Sequence, residues 1–134
     1  MDPQAMKASV RRFYDDLWNK FDVSVADDIL SPDVVFRGTM KDGHHDLAGF
    51  KDYVHEIEAG FPDFHQRIDE QWVDGDTCIA RMYWSGTHRG DYRGHPATGR
   101  SVAYPGMAVF RFADGLITEV WAVGDTHGLW SVIT

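Results

Sequence analysis

The chain has 134 residues, and its 13 basic and 21 acidic side chains give a formal net charge of −8 at pH 7. That length suits one domain over 1–134, and an acidic chain without a basic stripe argues against nucleic acid or an anionic membrane as partner. No signal-peptide pattern and no run of about 18 apolar residues is present, so we expect a cytoplasmic protein without membrane spans. The high aromatic content suits a thick core or an aromatic-lined cavity.

Helical periodicity dominates the first part of the chain. Apolar residues at helical spacing predict an amphipathic helix from about 4 to 20, beginning after Pro3. A second, short helix is predicted over 23–30, and Pro32 is expected to stop it before the chain extends.

A short strand and a third helix are predicted next. The strand covers 34–37 and is followed by a loop over 38–46. Asp46 is the predicted N-cap of the third helix, and Gly60-Phe61-Pro62 is expected to end it.

Two β-hairpins are predicted in the remainder of the chain. Asp74-Gly75-Asp76 marks the first turn, and Asp114-Gly115 suits a two-residue type I′ turn in the second. The predicted strands are 64–73 and 77–88 in the first hairpin and 101–113 and 116–125 in the second. Helices followed by a curved antiparallel sheet predict an α+β domain, in which three N-terminal helices close one side of a cone-shaped sheet and enclose a pocket.

The second hairpin allows its register to be counted. If Ala113 pairs with Leu116 and no bulge follows, Tyr104 lies opposite Asp125 and the two side chains share one face. Glu119 and Trp121 then lie on the same face as Asp125, so they are expected to point toward the pocket.

Asp125 is the predicted general acid/base. A carboxylate at the rim of an aromatic surface could remove a proton beside a carbonyl, and the Tyr104 hydroxyl could stabilise the enolate that forms. His88 ends a strand whose inner face carries Trp84, so it could pair with Asp125 or with a substrate oxygen. Two alternatives stay open: Asp125 caps a backbone turn at 124–128, or His88 is a structural histidine.

The remaining site predictions concern substrate binding. Trp84 and Trp121 are expected to provide flat walls for stacking, and Tyr14 on the first helix is expected to contact the ligand. Arg37 or Arg111 could pair with Glu119 inside the cone, if either side chain reaches inward. None of the histidine spacings gives a zinc site, so no metal is expected.

Motifs along nearly the whole chain carry a family resemblance. The element order resembles the nuclear-transport-factor-like cone fold, which ketosteroid isomerase and scytalone dehydratase share. The motifs resemble those of the SnoaL-like polyketide cyclases. They are Arg12-Phe13-Tyr14-Asp15-Asp16-Leu17-Trp18-Asn19, Phe61-Pro62-Asp63, Gly86-Thr87-His88-Arg89-Gly90, Gly94-His95-Pro96-Ala97-Thr98-Gly99-Arg100 and Asp114-Gly115-Leu116-Ile117-Thr118-Glu119-Val120-Trp121, with Asp125.

The resemblance implies an activity and a partner. Cyclases of this type close a ring in a polyketide ester by an intramolecular aldol reaction, without metal or organic cofactor, and an Asp at the position of Asp125 acts as acid and base. The expected substrate is therefore an apolar small molecule, which can be polycyclic. A homodimer through the exposed sheet face is also expected. Arg37-Gly38 stands where ketosteroid isomerase keeps its catalytic Asp, so a steroid isomerase lacks its base here.

Two alternatives to a cyclase are kept. One is another enzyme on the same fold, such as a dehydratase, or an epoxide hydrolase with a second buried Asp bridged to Asp125 by an arginine. The other is a non-catalytic ligand-binding or dimerisation module, which we would expect to hold Asp125 in hydrogen bonds away from the pocket.

Overall fold

A computed structural model describes residues 1–38 and 43–134 of the chain. One mixed sheet and the helices on its inner face make up an α+β domain, as predicted. The strands are β1 (Leu30–Arg37), β2 (His65–Asp74), β3 (Thr77–Thr87), β4 (Ser101–Ala113) and β5 (Leu116–Gly124). The helices are α1 (Pro3–Arg12), α2 (Ala26–Ile29), α3 (Leu47–Gly60) and α4 (Thr126–Ile133), with a π-helix at Phe13–Trp18 and a 3₁₀-helix at Val23–Val25.

The first predicted helix is two continuous helical segments. The Asp2 carboxylate caps α1 by accepting a hydrogen bond of 2.7 Å from the backbone N–H of Ala5. From Phe13 the chain continues as the π-helix to Trp18. A π-helix has a wider turn than an α-helix, and this one brings four buried side chains onto one side. They are Phe13, Tyr14, Leu17 and Trp18.

The second predicted helix is shorter than expected. The 3₁₀-helix and α2 together end at Ile29, and β1 begins at Leu30. Pro32 therefore lies inside β1 and does not end the helix. Proline has no backbone N–H to donate. It is tolerated in β1 because β1 is an edge strand, where backbone groups that face away from the sheet have no partner strand.

Local capping places α3 as the sequence predicts. The Asp46 carboxylate accepts a hydrogen bond of 2.8 Å from Gly49 N, and the helix ends at Gly60. Its buried face packs toward the sheet. That face consists of Phe50, Tyr53, Val54, Ile57 and Gly60.

The strand order is β1-β5-β4-β3-β2. Strands β2 to β5 form antiparallel pairs, as predicted, whereas β1 joins the edge of β5 in parallel. The sheet is therefore mixed. A parallel pair needs a long connection between its strands, and α3 and strands β2 to β4 provide it between β1 and β5.

The register of the second hairpin differs from the prediction. Asp114 and Gly115 have φ values of 53° and 79°, as a type I′ turn requires. However, Phe112 pairs with Ile117 while Arg111 pairs with Glu119, so one extra residue of β5 bulges between these pairs. Such a bulge shifts every later β5 side chain by one position, which reverses the face to which it points.

A helix that was not predicted follows β5. Helix α4 buries Leu129 and Ile133, and the Arg100 guanidinium donates a hydrogen bond of 2.9 Å to the Val132 carbonyl near its end. Among the described residues, none of the helices combines the length and apolar character of a membrane span.

Candidate functional site

A cavity of about 30 Å³ lies between the helices and the inner face of the sheet. The π-helix supplies part of its wall, and α3 and strands β1 to β5 supply the rest. Space of this size holds about two water molecules. The lining residues are Phe13, Tyr14, Trp18, Phe36, Gly38, Tyr53, Ile57, Phe64, Gln66, Trp84, Tyr104 and Ala122.

The aromatic walls of the cavity are fixed by contacts between rings. The Phe36 ring lies 5.6 Å from that of Tyr53, and the Trp18 ring lies 5.8 Å from that of Tyr53 with the planes nearly perpendicular. Trp84 and Tyr104 pair across β3 and β4 with their rings 5.4 Å apart. Edge and tilted contacts of this kind favour a defined arrangement over a fluid one.

The polar groups of the lining are neutral. Tyrosine hydroxyls and the Gln66 amide occur among the lining residues, and the described part of the lining contains no charged side chain. Tyr14 is 1% exposed, and burial raises the pKa of its hydroxyl well above the ordinary value. A buried hydroxyl that stays protonated is a hydrogen-bond donor, so the cavity favours an uncharged ligand that carries oxygen acceptors.

Asp125, the predicted acid/base, lies outside this lining. Its side chain is exposed, and Oδ1 accepts a hydrogen bond of 3.0 Å from Gly128 N as the N-cap of α4. Because of the bulge, Gly106 pairs with Gly124, and Asp125 N donates to Pro105 O. The predicted pairing of Tyr104 with Asp125 is therefore wrong, although Tyr104 does line the cavity.

His88 is fully buried but lies beside the cavity lining, not in it. Thr98 N donates to His88 Nδ1 over 3.3 Å, and Thr98 Oγ1 lies 3.0 Å from the same nitrogen. Because Nδ1 accepts, the ring proton belongs on Nε2, which has no hydrogen-bond partner among the described residues. The ring stacks on Phe61 at 5.4 Å. His88 therefore fixes the loop that carries Thr98, and its expected contact with Asp125 is not found in the structure.

The loop next to His88 is also anchored by Asp63. Thr87 Oγ1 and Thr87 N each donate to its carboxylate at 2.7 Å. Partial burial alone would raise the pKa of Asp63, but the two hydrogen bonds and the nearby Arg89 lower it. This carboxylate is exposed and serves to join the end of α3 to the end of β3.

Three residues predicted to bind substrate lie on the outer face of the sheet. Trp121 is 50% exposed, and the Arg37 guanidinium lies over its ring at 5.1 Å from the centroid. Glu119 pairs with Arg111 at 3.9 Å. The prediction that Trp121, Glu119 and Arg37 point into the pocket is wrong, because the bulge reversed the facing of β5 and β1 follows its register.

Trp84 and Tyr14 line the cavity, and their contact with a substrate stays a prediction. Three further lining residues were not predicted from the sequence: Phe36, Tyr53 and Phe64. Neither was Gln66, a polar residue that is only 5% exposed on the inner face of β2. The sequence offered one signal for Gln66: its neighbours two positions away, Phe64 and Ile68, are apolar, which indicates that all three share the inner face.

A family model of the SnoaL-like polyketide cyclases matches residues 8–131. No curated protein matches the chain. Several solved structures match the chain. A protein from Jannaschia sp. CCS1, provisionally named a SnoaL-like polyketide cyclase, superposes with a TM-score of 0.89 at 20% identity. The match covers 99% of this chain and 95% of that chain. TsrD from Streptomyces laurentii has a TM-score of 0.86 at 25% identity, with 99% and 97% covered. AclR from Streptomyces galilaeus, provisionally named a hydroxylase, has a TM-score of 0.75 at 26% identity, with 87% and 86% covered.

Proposed function

Because the chain belongs to the SnoaL-like polyketide cyclase family, we propose that it closes a ring in a neutral, polyketide-derived molecule bound in the cavity. The observation that carries the proposal is the lining itself, where aromatic walls surround tyrosine hydroxyls and an amide. Aromatic walls hold a flat apolar molecule, and the hydroxyls can bind its carbonyl oxygens. The described part of the lining is uncharged, which suits a substrate whose charge appears only during the reaction.

The proposed reaction is an intramolecular aldol addition. A base removes a proton from the carbon beside one carbonyl, the resulting enolate carbon bonds to a second carbonyl carbon, and the alkoxide oxygen then takes the proton back. Substrate and product are isomers, so the balance requires no cofactor. The Tyr14 and Tyr104 hydroxyls are the proposed donors to the enolate oxygen.

Asp125 is the proposed base of this reaction. It follows Gly124, where an added Cβ would meet the rings of Trp84 and Tyr104, so its backbone adjoins the cavity wall. In this mechanism its carboxylate gives up the hydrogen bond from Gly128 N when it takes the substrate proton. His88 has no direct part in this mechanism and positions the loop that carries Thr98, because Thr98 N donates to its Nδ1.

The Tyr14 hydroxyl provides the test of this proposal. Tyr14→Phe keeps the ring and removes only the donor, so we expect kcat to fall about 100-fold, as for a lost oxyanion donor. The measurement is turnover of a polyketide methyl ester, with the isomeric product followed by chromatography and mass detection. Tyr83→Phe on the outer face, where Arg67 covers the ring at 5.0 Å, is the matched control and should keep the wild-type rate. Turnover no faster than in buffer for the wild-type protein would contradict the proposal.

A second candidate function is ligand binding without chemistry. It is favoured by one observation: the Asp125 carboxylate is engaged by Gly128 N outside the cavity. Binding of a neutral polyketide ester without turnover would support this candidate. The described residues do not favour the epoxide hydrolase alternative, because their buried polar and charged side chains are those of Gln66 and His88, with no buried Asp among them.

The outer face of the sheet is the proposed homodimer interface. Trp121, Val109, Ile79 and Trp72 form one row across β5, β4, β3 and β2. Trp121 and Trp72 are 50% and 43% exposed, and large exposed apolar side chains in one patch are typical of an interface. We define these four residues as the outer row.

A charge in the outer row is expected to separate the proposed dimer. Trp121→Glu puts a carboxylate in the apolar patch, so burying it would cost several kcal/mol. Light scattering after size exclusion should give a dimer for the wild-type chain and a monomer for the variant. Gln4→Glu, on α1 at the other side of the sheet, is the control and should remain dimeric. A monomeric wild-type chain at all concentrations would refute the interface.

A further inference from the structure

Trp84 occupies the middle of the inner face of the sheet. It is 3% exposed, and it pairs with Gln66 on β2 and with Tyr104 on β4. The indole of Trp84 forms one wall of the cavity. The size and orientation of this ring therefore determine how much space the cavity has.

Two glycines make room for the indole. A Cβ at Gly106 would lie 2.0 Å from Trp84 Cζ3, and a Cβ at Gly124 would lie 2.5 Å from the same atom. Real Cβ atoms essentially never approach a neighbour that closely. Gly106 and Gly124 pair across β4 and β5, so they form a bare area of sheet on which the ring rests.

The other end of the indole is held by hydrogen bonds. Trp84 Nε1 donates to Gln66 Oε1 over 2.8 Å. The Gln66 backbone is in turn fixed by Asn19, whose amide donates to Gln66 O at 2.9 Å and accepts from Gln66 N at 2.8 Å. Asn19 directly follows the π-helix. The ring is therefore fixed between β2 on one side and the two glycines on the other.

We propose that Trp84 sets the upper size of the substrate and restricts the cavity to compact neutral molecules that form a single ring. The indole leaves about 30 Å³, whereas pockets for drug-sized ligands measure about 300–1,000 Å³. Admitting one ring requires the other walls of the cavity to move apart, whereas admitting two fused rings would also require the indole to move, and Gly106, Gly124 and Gln66 hold it in place. This inference rests on the proposed function, since it assumes that the substrate binds in this cavity.

Binding of neutral aromatic probes tests the size limit independently of catalysis. Phenol and 2-naphthol differ by one fused ring, and both offer a hydroxyl to the polar lining. We expect the wild-type chain to bind phenol and to bind 2-naphthol at least tenfold more weakly, by calorimetry or ligand-observed NMR. Trp84→Ala leaves an apolar void on the order of 100 Å³, comparable to engineered cavities that bind benzene. It should bind 2-naphthol at least tenfold more tightly than the wild-type chain.

Two further variants make the result decisive. Trp121→Ala removes an indole from the outer face and should bind both probes as the wild-type chain does. Trp84→Phe keeps a smaller aromatic ring in the core and should also bind 2-naphthol more tightly than the wild-type chain. This result replaces that of Trp84→Ala if the alanine variant does not fold. Equal binding of 2-naphthol by the wild-type chain and the folded Trp84 variants would overturn the size limit alone. Binding of neither probe by any of these proteins would overturn the proposed function as well.

Discussion

Asp125→Asn is expected to lower the rate of ring closure at least about 100-fold while the free energy of unfolding stays within about 0.5 kcal/mol of wild type. Acid/base catalysis contributes about 10²–10⁴-fold, and asparagine cannot take the proton. Asparagine is as good an N-cap as aspartate, so it retains the hydrogen bond from Gly128 N. The measurements are turnover of the polyketide ester and chemical denaturation of both proteins.

Asp125→Ala is the matched control for the helix cap. It removes both the base and the hydrogen bond to Gly128, so it should show the same loss of rate and a further loss of about 1 kcal/mol in stability. A wild-type rate in Asp125→Asn, with the loss of stability confined to Asp125→Ala, would show that Asp125 only caps α4. The base would then have to be sought elsewhere in the chain.

Phe50→Ala is expected to reduce the free energy of unfolding by about 3–5 kcal/mol, the usual cost of truncating a buried phenylalanine. Phe50 is 0% exposed, and its ring lies 4.6 Å from Phe36, 5.6 Å from Phe13 and 5.9 Å from Trp18. All three neighbours line the cavity. The truncation therefore removes the support behind one whole wall of the site.

Denaturant unfolding followed by circular dichroism measures this loss. Phe50→Leu should cost less, because it retains most of the buried volume. Met107→Ala, at a side chain that is 43% exposed on the outer face, should stay within about 0.5 kcal/mol of wild type. A loss below about 1 kcal/mol for Phe50→Ala would show that the cavity wall does not depend on this ring.

The elements that the sequence predicted well depend on local chemistry. Asp46 caps α3 through a residue only three positions away, and Asp114-Gly115 supplies the two positive φ angles of its turn. Trp84 was placed correctly because alternation along β3 is not interrupted. Each of these features involves a short stretch of chain, so one sequence is sufficient to predict it.

The predictions that failed depend on contacts between distant segments. The β5 bulge lies where β4 and β1 both shift their pairing, since β1 also changes register between its pairs with Ile117 and Glu119. Counting along one hairpin cannot detect it, and Trp121 and Asp125 were misplaced as a result. The π-helix is equally hidden, because its four buried residues also fit an α-helical period.

The position of β1 has a consequence for how the protein folds. Leu30 pairs with Ile117, so the second strand of this pair is synthesised long after the first. Contacts between such distant segments require costly loop closure and slow the folding of a domain. The hairpins β2–β3 and β4–β5 can form early from neighbouring residues, whereas β1 must wait for β5. Because Phe36 of β1 is part of the cavity wall, the binding site is complete only when β1 has paired with β5.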